Sequence, residues 1–365
     1  MTNKNIEISL LQESEVDEVI LFYNVTYNQT RNREKFYWEF NDAPAGKAIY
    51  VVAKDADTKK IVGTQVAMPI ELITDTGKTI LTAKSEDTLV DPNYRGLQIF
   101  EKMYDFLFKT CIERGIKYIW GFTTAKKPFI KLGFDIPFSH SQSLMAIDIS
   151  ASYKYLANLN DKNNFSSLMK IRLLCIASKL MSLKNMFVSD KEIDANFSYL
   201  ECDKAEIKDN NQLIKADSKG FSIKLDLPFL LWRISNNLYH DKIYNIYFSD
   251  KKDLVANLIF NHHKDGTWYL INDTYAVKLS EKQKAAMHRK AIKLLLAKEK
   301  QNVKLIRTWD FSHNKLGNEE ISIRKKAGYI HLERGVPFVW KTLDGNEKLN
   351  AADFNLSRIA SQGMI

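Results

Sequence analysis

The sequence predicts an α/β protein that contains two copies of one unit, each with a mixed, twisted sheet flanked by helices. Three observations predict this class. The chain has 365 residues, which is about the length of two domains, and 45% of them are hydrophobic. Strand-like apolar runs alternate with segments of helical period along most of the chain. Two sequence patterns also occur twice each, and the two copies of each pattern are separated by nearly the same number of residues.

The first repeated pattern is an aromatic helix that leads through a turn into a strand. It occurs at residues 36–53 and again at residues 229–248, and its tryptophans, Trp38 and Trp232, lie 194 residues apart.

The second repeated pattern is a helix, an apolar run and a glycine before an aromatic residue. The three parts are residues 99–113, 116–122 and Gly133 in the first half, and residues 280–298, 303–309 and Gly328 in the second. The two glycines lie 195 residues apart. Two independent patterns at one offset predict a duplication.

Changes in composition along the chain predict three parts: a first domain at 1–150, a helical and polar connection at 151–215, and a second domain at 216–365. Within the connection, residues 167–186 are apolar at helical spacing and carry four basic residues. Such a helix packs one domain on another or lies on a membrane surface, and we favour packing.

Charge and cysteine content narrow the class of protein. With 53 Lys and Arg against 44 Asp and Glu, the net charge of +9 favours anionic partners, but no run of like charges predicts a nucleic-acid arm. Three scattered cysteines without a CxxC pair predict reduced thiols and no zinc site. The N-terminus lacks a signal peptide and no segment is apolar enough to span a membrane, so we expect a cytoplasmic protein.

The segment most indicative of chemistry is residues 85–100, SEDTLVDPNYRGLQIF. It predicts a strand that ends near Val90, a proline-containing turn and a helix that starts close to Leu97. The N-terminus of a helix offers free backbone N–H groups and the positive end of the helix dipole, which suit a pyrophosphate. Arg95 adds a positive charge there, and Gly96 permits close approach of a ligand.

This arrangement resembles the GNAT superfamily of acyl-CoA-dependent acyltransferases. The V-x-P-x-x-R-G spacing from Val90, the strand 118–122 and the K-x-G-F sequence at 131–134 occur in the expected order. The resemblance covers residues 5–150, and at 220–345 only the scaffold pattern returns. It implies tandem GNAT-like domains, a degenerate second copy and one acyl-CoA site in the first.

The resemblance implies that the loop amides bind the CoA pyrophosphate and that the preceding strand diverges from the next one to admit pantetheine. The implied acyl-CoA-binding residues are Leu89, Val90, Arg95, Gly96, Leu97, Gln98, Ile99, Phe100, Thr124 and Phe129. Gln98 and Phe100 stand where the family loop has small residues, and Gln98 can still donate its backbone N–H at a helical start provided that its φ stays negative. Phe129 stands where many relatives carry a tyrosine general acid, and it has no proton to donate.

Glu86 and Asp87 are the predicted general base, because an amine nucleophile has to lose a proton. On a regular strand they point to opposite faces, so one of them faces the cleft. The backbone N–H groups near Leu89 and Val90 are expected to polarise the thioester carbonyl. The seven histidines lack metal-ligand spacing, so no metal is predicted.

For the acceptor, residues 36–46, residues 85–96 and Trp232-Arg233 look most like bacterial enzymes that N-acylate nucleotide-linked amino sugars such as dTDP-3-amino-3,6-dideoxyhexoses, precursors of surface polysaccharides. This implies acyl-CoA and a dTDP- or UDP-linked amino sugar as partners, with Trp38 and Arg233 as substrate-binding residues. A peptidoglycan or protein acyltransferase, and a CoA-binding module without catalysis, are the alternatives.

Overall fold

The structure, a computed structural model, describes the following residues: 5–159, 164–203, 207–210, 213, 220–235, 240–249, 253–263, 265–276, 278–299, 302–344 and 349–360. The chain divides into two compact units. Unit 1 contains Met1–Phe138, Phe221–Lys224 and Val336–Asp353, and unit 2 contains Ser139–Gly220, Leu225–Gly335 and Phe354–Ile365.

The described strands are β1 (Ile6–Leu10), β2 (Ile49–Asp55), β3 (Ile61–Thr74), β4 (Thr79–Val90), β5 (Tyr118–Phe122), β6 (Ser141–Ala146), β7 (Phe197–Cys202), β8 (Phe221–Ile223), β9 (His240–Phe248), β10 (Leu254–His262), β11 (Thr267–Tyr275), β12 (Leu305–Asp310), β13 (Ile330–Leu332), β14 (Phe338–Thr342) and β15 (Phe354–Asn355). The described α-helices are α1 (Val16–Tyr27), α2 (Arg33–Phe40), α3 (Ile99–Glu113), α4 (Lys126–Lys131), α5 (Ile149–Asn158), α6 (Phe165–Met186), α7 (Lys191–Asp194), α8 (Leu227–Ser235), α9 (Glu281–Glu299) and α10 (Lys315–Ala327).

The sheet of unit 1 has the order β1-β2-β3-β4-β5-β14, and β8 pairs with the distal end of β3. Its path neighbours are antiparallel except for β4 and β5, which are parallel. Helix α3 packs on this sheet through the buried side chains of Met103, Tyr104 and Leu107. Burial of these apolar side chains is the main stabilising contribution to the unit.

The sheet of unit 2 has the order β13-β6-β12-β11-β10-β9-β7, and its one parallel pair is β11 and β12. Its core joins β10 and β11 to helix α9, with Phe260, Trp268, Leu270, Met287 and Leu295 all fully buried. The mixed α/β class with two sheets flanked by helices is therefore confirmed.

The predicted duplication appears in the order of the elements. The series α2, β2, α3, β5, α4 in the first half corresponds to α8, β9, α9, β12, α10 in the second. Gly133 follows α4 with φ +77°, and Gly328 follows α10 with φ +108°. Both helices thus end in the left-handed conformation that glycine adopts at low cost, which explains why this glycine occurs in both copies.

The structural units differ from the limits 1–150, 151–215 and 216–365 that were expected from sequence. Strand β6 follows the first copy in the chain but lies between β13 and β12 in the sheet of unit 2. Strand β14 follows the second copy but pairs with β5 in unit 1. Helices α5, α6 and α7, from the expected connection, belong to unit 2.

Candidate functional site

The candidate site of unit 1 is built on the only parallel strand pair of its sheet among the described residues. Residues 82–84 of β4 pair with residues 118–120 of β5, and the pairing stops there while β4 continues to Val90. Gly121 lies at the base of the divergence, where a Cβ atom would be 3.1 Å from the Ser85 carbonyl oxygen. The two strands therefore come close at Ser85 and then separate, as the acyl-CoA resemblance implies.

A β-bulge interrupts β4 where the strands separate. The register with β3 shifts between Thr64 and Val66, and Asp87 has φ +46°. Ser85 and Thr88 consequently lie on the same face of the strand, although they are three positions apart and a regular strand would place them on opposite faces.

The shared face of Ser85 and Thr88 is shown by their common partners. The Gln65 amide donates to Ser85 Oγ at 3.0 Å and accepts from Thr88 Oγ1 at 2.5 Å. The Tyr104 hydroxyl of α3 lies 2.7 Å from Ser85 Oγ. This polar network fixes the bulge against helix α3.

Glu86 and Asp87 share the other face of β4, so the expectation that they point to opposite faces is wrong. Glu86 pairs with Val66 of β3 and Val66 pairs with Tyr50 of β2, so these side chains share a face, and from that face the Tyr50 hydroxyl donates to Asp87. The same two carboxylates also raise the pKa of Glu39 on α2. The physical reason is the bulge, which adds one residue to the strand and breaks the alternation.

Asp87 is held by a buried arginine that precedes α2. The Arg31 guanidinium donates to both carboxylate oxygens of Asp87 and pairs with Glu39 at 3.1 Å. It also stacks over the Tyr23 ring, 3.5 Å from the centroid, and the Tyr50 hydroxyl donates to Asp87 at 3.2 Å. Asp87 is therefore fixed in position by three donor groups.

The buried cluster around Arg31 was not predicted from sequence. Burial raises the pKa of Glu39 to about 7, against the opposing effect of Arg31. A glutamate between Trp38 and Phe40, at the aromatic end of α2, is the signal that was available, because a buried carboxylate requires a charged partner.

Glu86 is the more accessible of the two acids on β4. Its side chain is 19% exposed, against 8% for Asp87, and it forms an ion pair with Lys84. Of the two residues predicted as the general base, Glu86 is thus the carboxylate that a small molecule reaches more easily.

The loop after β4 has an ordered, exposed backbone. Asp91 caps the 3-10 turn Pro92–Tyr94 by accepting from the Asn93 N–H at 2.9 Å. The Tyr94 hydroxyl donates to Asp55 at the end of β2, 2.8 Å away. The first bond orders the turn, and the second joins the loop to the sheet.

The N-terminus of α3 has a geometry suited to an anion. Gly96 has φ +85° and Gln98 has φ +58°, with Leu97 and Ile99 at negative φ between and after them. Alternation of this kind turns successive N–H groups into a concave anion site, next to the free N–H groups of the first helical turn. Arg95, Gly96 and Gln98 are exposed, so a ligand has access to this backbone.

Gln98 does not have the negative φ that a helical start at this residue requires. Helix α3 starts at Ile99, and Gln98 is the residue immediately before it, with its carbonyl accepting from the Lys102 N–H at 3.0 Å. Gln98 therefore adopts the left-handed conformation that a glycine favours, which accounts for the small residue of the family loop.

The remaining predicted acyl-CoA residues differ in exposure. Leu89, Ile99 and Phe129 are buried and Val90, Leu97 and Phe100 are partly buried, whereas Thr124 is exposed after β5. The Phe100 ring lies 4.8 Å from that of Tyr104 and 5.6 Å from that of Phe129. Phe100 thus packs between α3 and α4, and its side chain does not reach the loop.

The two predicted substrate-binding residues lie in different units. Trp38 on α2 of unit 1 is 6% exposed. Arg233 on α8 of unit 2 is 1% exposed, and its Nε donates to the Ile359 carbonyl at 3.3 Å. Their binding role remains a prediction.

The corresponding strand pair of unit 2 is bridged by a side chain. Residues 267–269 of β11 pair with residues 305–307 of β12 before β11 continues to Tyr275. Arg324 of α10 donates to both oxygens of Asp273 on β11, at 2.6 and 3.0 Å, and to Asp310 on β12 at 2.6 Å. The arginine is fully buried and holds the two strands together.

No group of three or more metal-ligating side chains comes together in the parts of the chain that the structure describes. Over the same residues, every helix is too short or too polar to traverse a lipid bilayer.

Comparisons with known sequences identify the first part of the chain. Residues 7–136 match the family model described as an acetyltransferase (GNAT) domain. No curated protein sequence matches the chain.

Several solved structures share the fold. A conserved protein from Enterococcus faecalis V583, described as a probable N-acyltransferase, is 10% identical with a TM-score of 0.62, over 93% of this chain and 73% of that one. A tandem GNAT protein from the clavulanic acid biosynthesis pathway is 10% identical with a TM-score of 0.58, over 94% and 100%. N-myristoyltransferase of Saccharomyces cerevisiae, with bound myristoyl-CoA, is 12% identical with a TM-score of 0.58, over 93% and 83%. Residues 7–136 therefore match a GNAT acetyltransferase domain, within a chain whose fold is similar to that of a tandem GNAT protein.

Proposed function

We propose that this protein is an acyl-CoA-dependent N-acyltransferase that acylates the amino group of a nucleotide-linked amino sugar. One observation carries the transferase part. In unit 1 a parallel strand pair diverges after residue 84, and β4 then runs directly into an exposed anion-binding loop at the N-terminus of α3. A thioester on a long diphosphate-containing carrier fits this combination of a gap and a phosphate site.

The loop binds the diphosphate of acyl-CoA through its backbone. The alternating φ values of Gly96 and Gln98 gather N–H groups, and Arg95 adds a positive charge at the exposed rim. The backbone of Leu89 and Val90, beyond the part of β4 that pairs with β5, then faces the pantetheine and the thioester carbonyl.

The transfer removes two protons from the acceptor nitrogen. Acyl-CoA supplies the thioester, and the acceptor amine, which arrives protonated, gives its first proton to Glu86 directly or through a water. The neutral amine nitrogen then bonds to the carbonyl carbon as the carbon–sulfur bond breaks and the electron pair leaves with the thiolate. The second proton passes from the nitrogen through water to the thiolate, which gives a neutral amide and the CoA thiol. A thiol with a pKa of about 8.5 leaves readily, so Phe129 need not supply a proton.

Asp87 acts as a positioning residue. Its contacts to Arg31 and Tyr50 fix the bulge. The bulge places Glu86 on the same face of β4 as Asp87. Gln65 and Tyr104 hold the opposite face through Ser85.

The acceptor class is supported by the resemblance of residues 36–46 and 85–96 to nucleotide-amino-sugar N-acyltransferases and by the net charge of +9, which suits a second diphosphate. The fold likeness to an N-myristoyltransferase favours one alternative, the transfer of a long acyl chain to a protein or peptidoglycan amine.

The first experiment is thermal unfolding with acetyl-CoA and with myristoyl-CoA. A ligand at 100 times its Kd adds about 2.7 kcal/mol to the free energy of unfolding, so the shift in Tm is easy to measure. Arg95→Ala should reduce this shift. If neither acyl-CoA changes Tm, the transferase proposal is wrong.

The second experiment measures release of the CoA thiol with dTDP- and UDP-linked amino sugars and with peptide amines. Glu86→Gln should lower kcat by about 10²- to 10⁴-fold and leave the acyl-CoA shift in Tm in place. Glu71→Gln is the matched control, because Glu71 on β3 also pairs with a lysine, Lys224 at 2.7 Å, outside the site. Turnover with peptide amines alone would mean that the acceptor is a peptide amine and not an amino sugar. Binding of acyl-CoA without turnover of any acceptor would mean that the protein is a non-catalytic CoA-binding module.

A further inference from the structure

Helix α6 of unit 2 carries a row of large apolar side chains that are open to solvent. They are Phe165 (80% exposed), Met169 (42%), Leu173 (58%), Ile176 (37%) and Leu180 (62%), with Phe187 (84%) directly after the helix. We call this row the α6 stripe. An exposed apolar surface of this length is unusual on a folded protein and indicates a binding surface.

The α6 stripe is a single face of the helix. Its members follow one another at intervals of four, four, three, four and seven residues, which at 100° per residue keeps them within an arc of about 80°. The row runs about 33 Å along the helix axis.

The opposite face of α6 is the one that packs on unit 2. Cys175, Ser178 and Ser182 are fully buried there. The Ser178 hydroxyl accepts from the Ala146 N–H of β6 at 2.8 Å. The helix therefore rests on β6 through small residues and turns its large apolar side chains outward.

Basic residues flank the α6 stripe on both sides. At 100° per residue, Arg172 and Lys179 lie along one edge of the stripe, and Lys170 and Lys184 lie along the other. Residues 165–189 contain no aspartate or glutamate. An apolar face with two basic borders and no acids is complementary to an anionic lipid surface, which presents phosphates above hydrocarbon.

We infer that the α6 stripe binds the anionic surface of a lipid bilayer, with α6 parallel to the membrane plane. The apolar side chains enter the boundary between headgroups and acyl chains, and the four basic side chains pair with lipid phosphates. A second copy of this chain fits less well, because it would bring four basic residues against four others without a carboxylate between them. This inference does not depend on the proposed transferase activity.

The test is flotation of the full chain with vesicles. One set is phosphatidylcholine alone, and the other contains about 30% phosphatidylserine, an anionic lipid. The protein should float with the anionic vesicles and not with the neutral ones. Raising the salt concentration from about 0.1 M to about 1 M shortens the Debye length from about 10 Å to about 3 Å and should weaken this binding.

Two substitutions separate the apolar and the charged contributions. Leu180→Ser should weaken binding to anionic vesicles about tenfold, because one large side chain no longer enters the bilayer. Lys179→Glu should weaken it on the order of tenfold or more, because a positive charge near the surface becomes negative. Leu21→Ser on α1 is the matched control, since Leu21 is also a helical leucine with 62% exposure, and binding should not change.

Three outcomes contradict the inference. The protein does not float with either set of vesicles, or Leu21→Ser and Leu180→Ser weaken flotation equally. The third is that sedimentation velocity shows a dimer that Leu180→Ser dissociates while vesicles are not bound, which would make the α6 stripe an interface between copies. Exposed positions of this kind tolerate serine, so the circular dichroism of each variant should match that of the unsubstituted protein.

Discussion

The diverging strand pairs of the two units share a backbone arrangement and differ in what joins the strands. In each unit three residues pair in parallel, 82–84 with 118–120 in unit 1 and 267–269 with 305–307 in unit 2. Beyond that point β4 bulges and enters the exposed loop before α3, whereas β11 and β12 are joined by Arg324. The same topology thus leads to an exposed loop in one copy and to a buried ion-pair cluster in the other.

One position of the repeat accounts for much of this difference. Arg324 stands four residues before Gly328, and Phe129 stands four residues before Gly133. The Phe129 ring packs against the rings of Phe100, Tyr104 and Phe134 and stays on the helix side of unit 1. The longer, charged side chain in unit 2 bonds to carboxylates on both strands instead.

The largest expected effect comes from removing that arginine. Arg324→Met should lower the free energy of unfolding by about 3–5 kcal/mol, because the buried carboxylate of Asp273 loses its charged partner and that of Asp310 keeps Ser143 and His331 but loses the arginine. Urea unfolding followed by tryptophan fluorescence measures the change.

A compensated variant shows whether the uncompensated charge is the cause. Adding Asp273→Asn and Asp310→Asn to Arg324→Met should restore part of the lost stability. The acyl-CoA shift in Tm should survive in both variants, since the proposed site belongs to unit 1. Unchanged stability of Arg324→Met would mean that the cluster does not hold the strand pair.

The next effect concerns the bulge of unit 1. Asp87→Asn should lower the free energy of unfolding by about 2–3 kcal/mol, because Arg31 is buried and loses a charged acceptor. Asparagine tolerates the positive φ of this position, so the backbone is not strained. The exposed pair of Glu7 and Lys59 provides the control, and Glu7→Gln should cost less than 1 kcal/mol by the estimate of about 0–1 for such pairs. Equal losses for the two variants would contradict the role given to the cluster.

A third effect is a pH dependence of stability, and it arises from a difference between α3, which follows β4, and α9, which follows β11. On α3 the Tyr104 hydroxyl contacts β4, and on α9 the His288 Nδ1 lies 3.0 Å from the hydroxyl of Tyr275 on β11. Burial, together with the charges of Arg324 and Arg289, lowers the pKa of His288 to about 3. The unfolded state therefore binds more protons below pH 6.5, and stability is lost as the pH falls from there toward 3.

The size of this loss follows from the same two pKa values. His288 should reduce the free energy of unfolding by about 2 kcal/mol between pH 7 and pH 5. Glu39 acts in the opposite direction, since its pKa is raised to about 7 and its contribution falls as the pH rises from about 4.5. Denaturant midpoints of the unsubstituted protein and of His288→Gln, measured at the two pH values, isolate the contribution of the histidine. If both proteins lose the same stability between pH 7 and pH 5, the loss does not come from His288.

The contrast between the two strand pairs also shows which features local sequence determines. The loop and the glycines after α4 and α10 were predicted, because proline, glycine and helix periodicity act over a few residues. The shared face of Glu86 and Asp87 was not, since it depends on a bulge that only the pairing with β3 reveals. The Arg31 cluster and the exchange of β6 and β14 between sheets require long-range packing, which a pattern within one segment does not encode.

The smallest expected effect tests the conformation at the start of α3. Gln98→Gly should raise the free energy of unfolding by about 0.5–1 kcal/mol. Glycine adopts a φ of +58° without the steric cost of a Cβ atom, and this gain is partly offset by the greater conformational entropy of glycine in the unfolded chain. The acyl-CoA shift in Tm should be retained, since the ligand is proposed to meet the backbone and not this side chain. Gln98→Ala keeps the Cβ atom and should bring no gain in stability. If glycine lowers stability while alanine raises it, the left-handed turn is not the native conformation, and the likeness of this loop to an anion-binding nest fails with it.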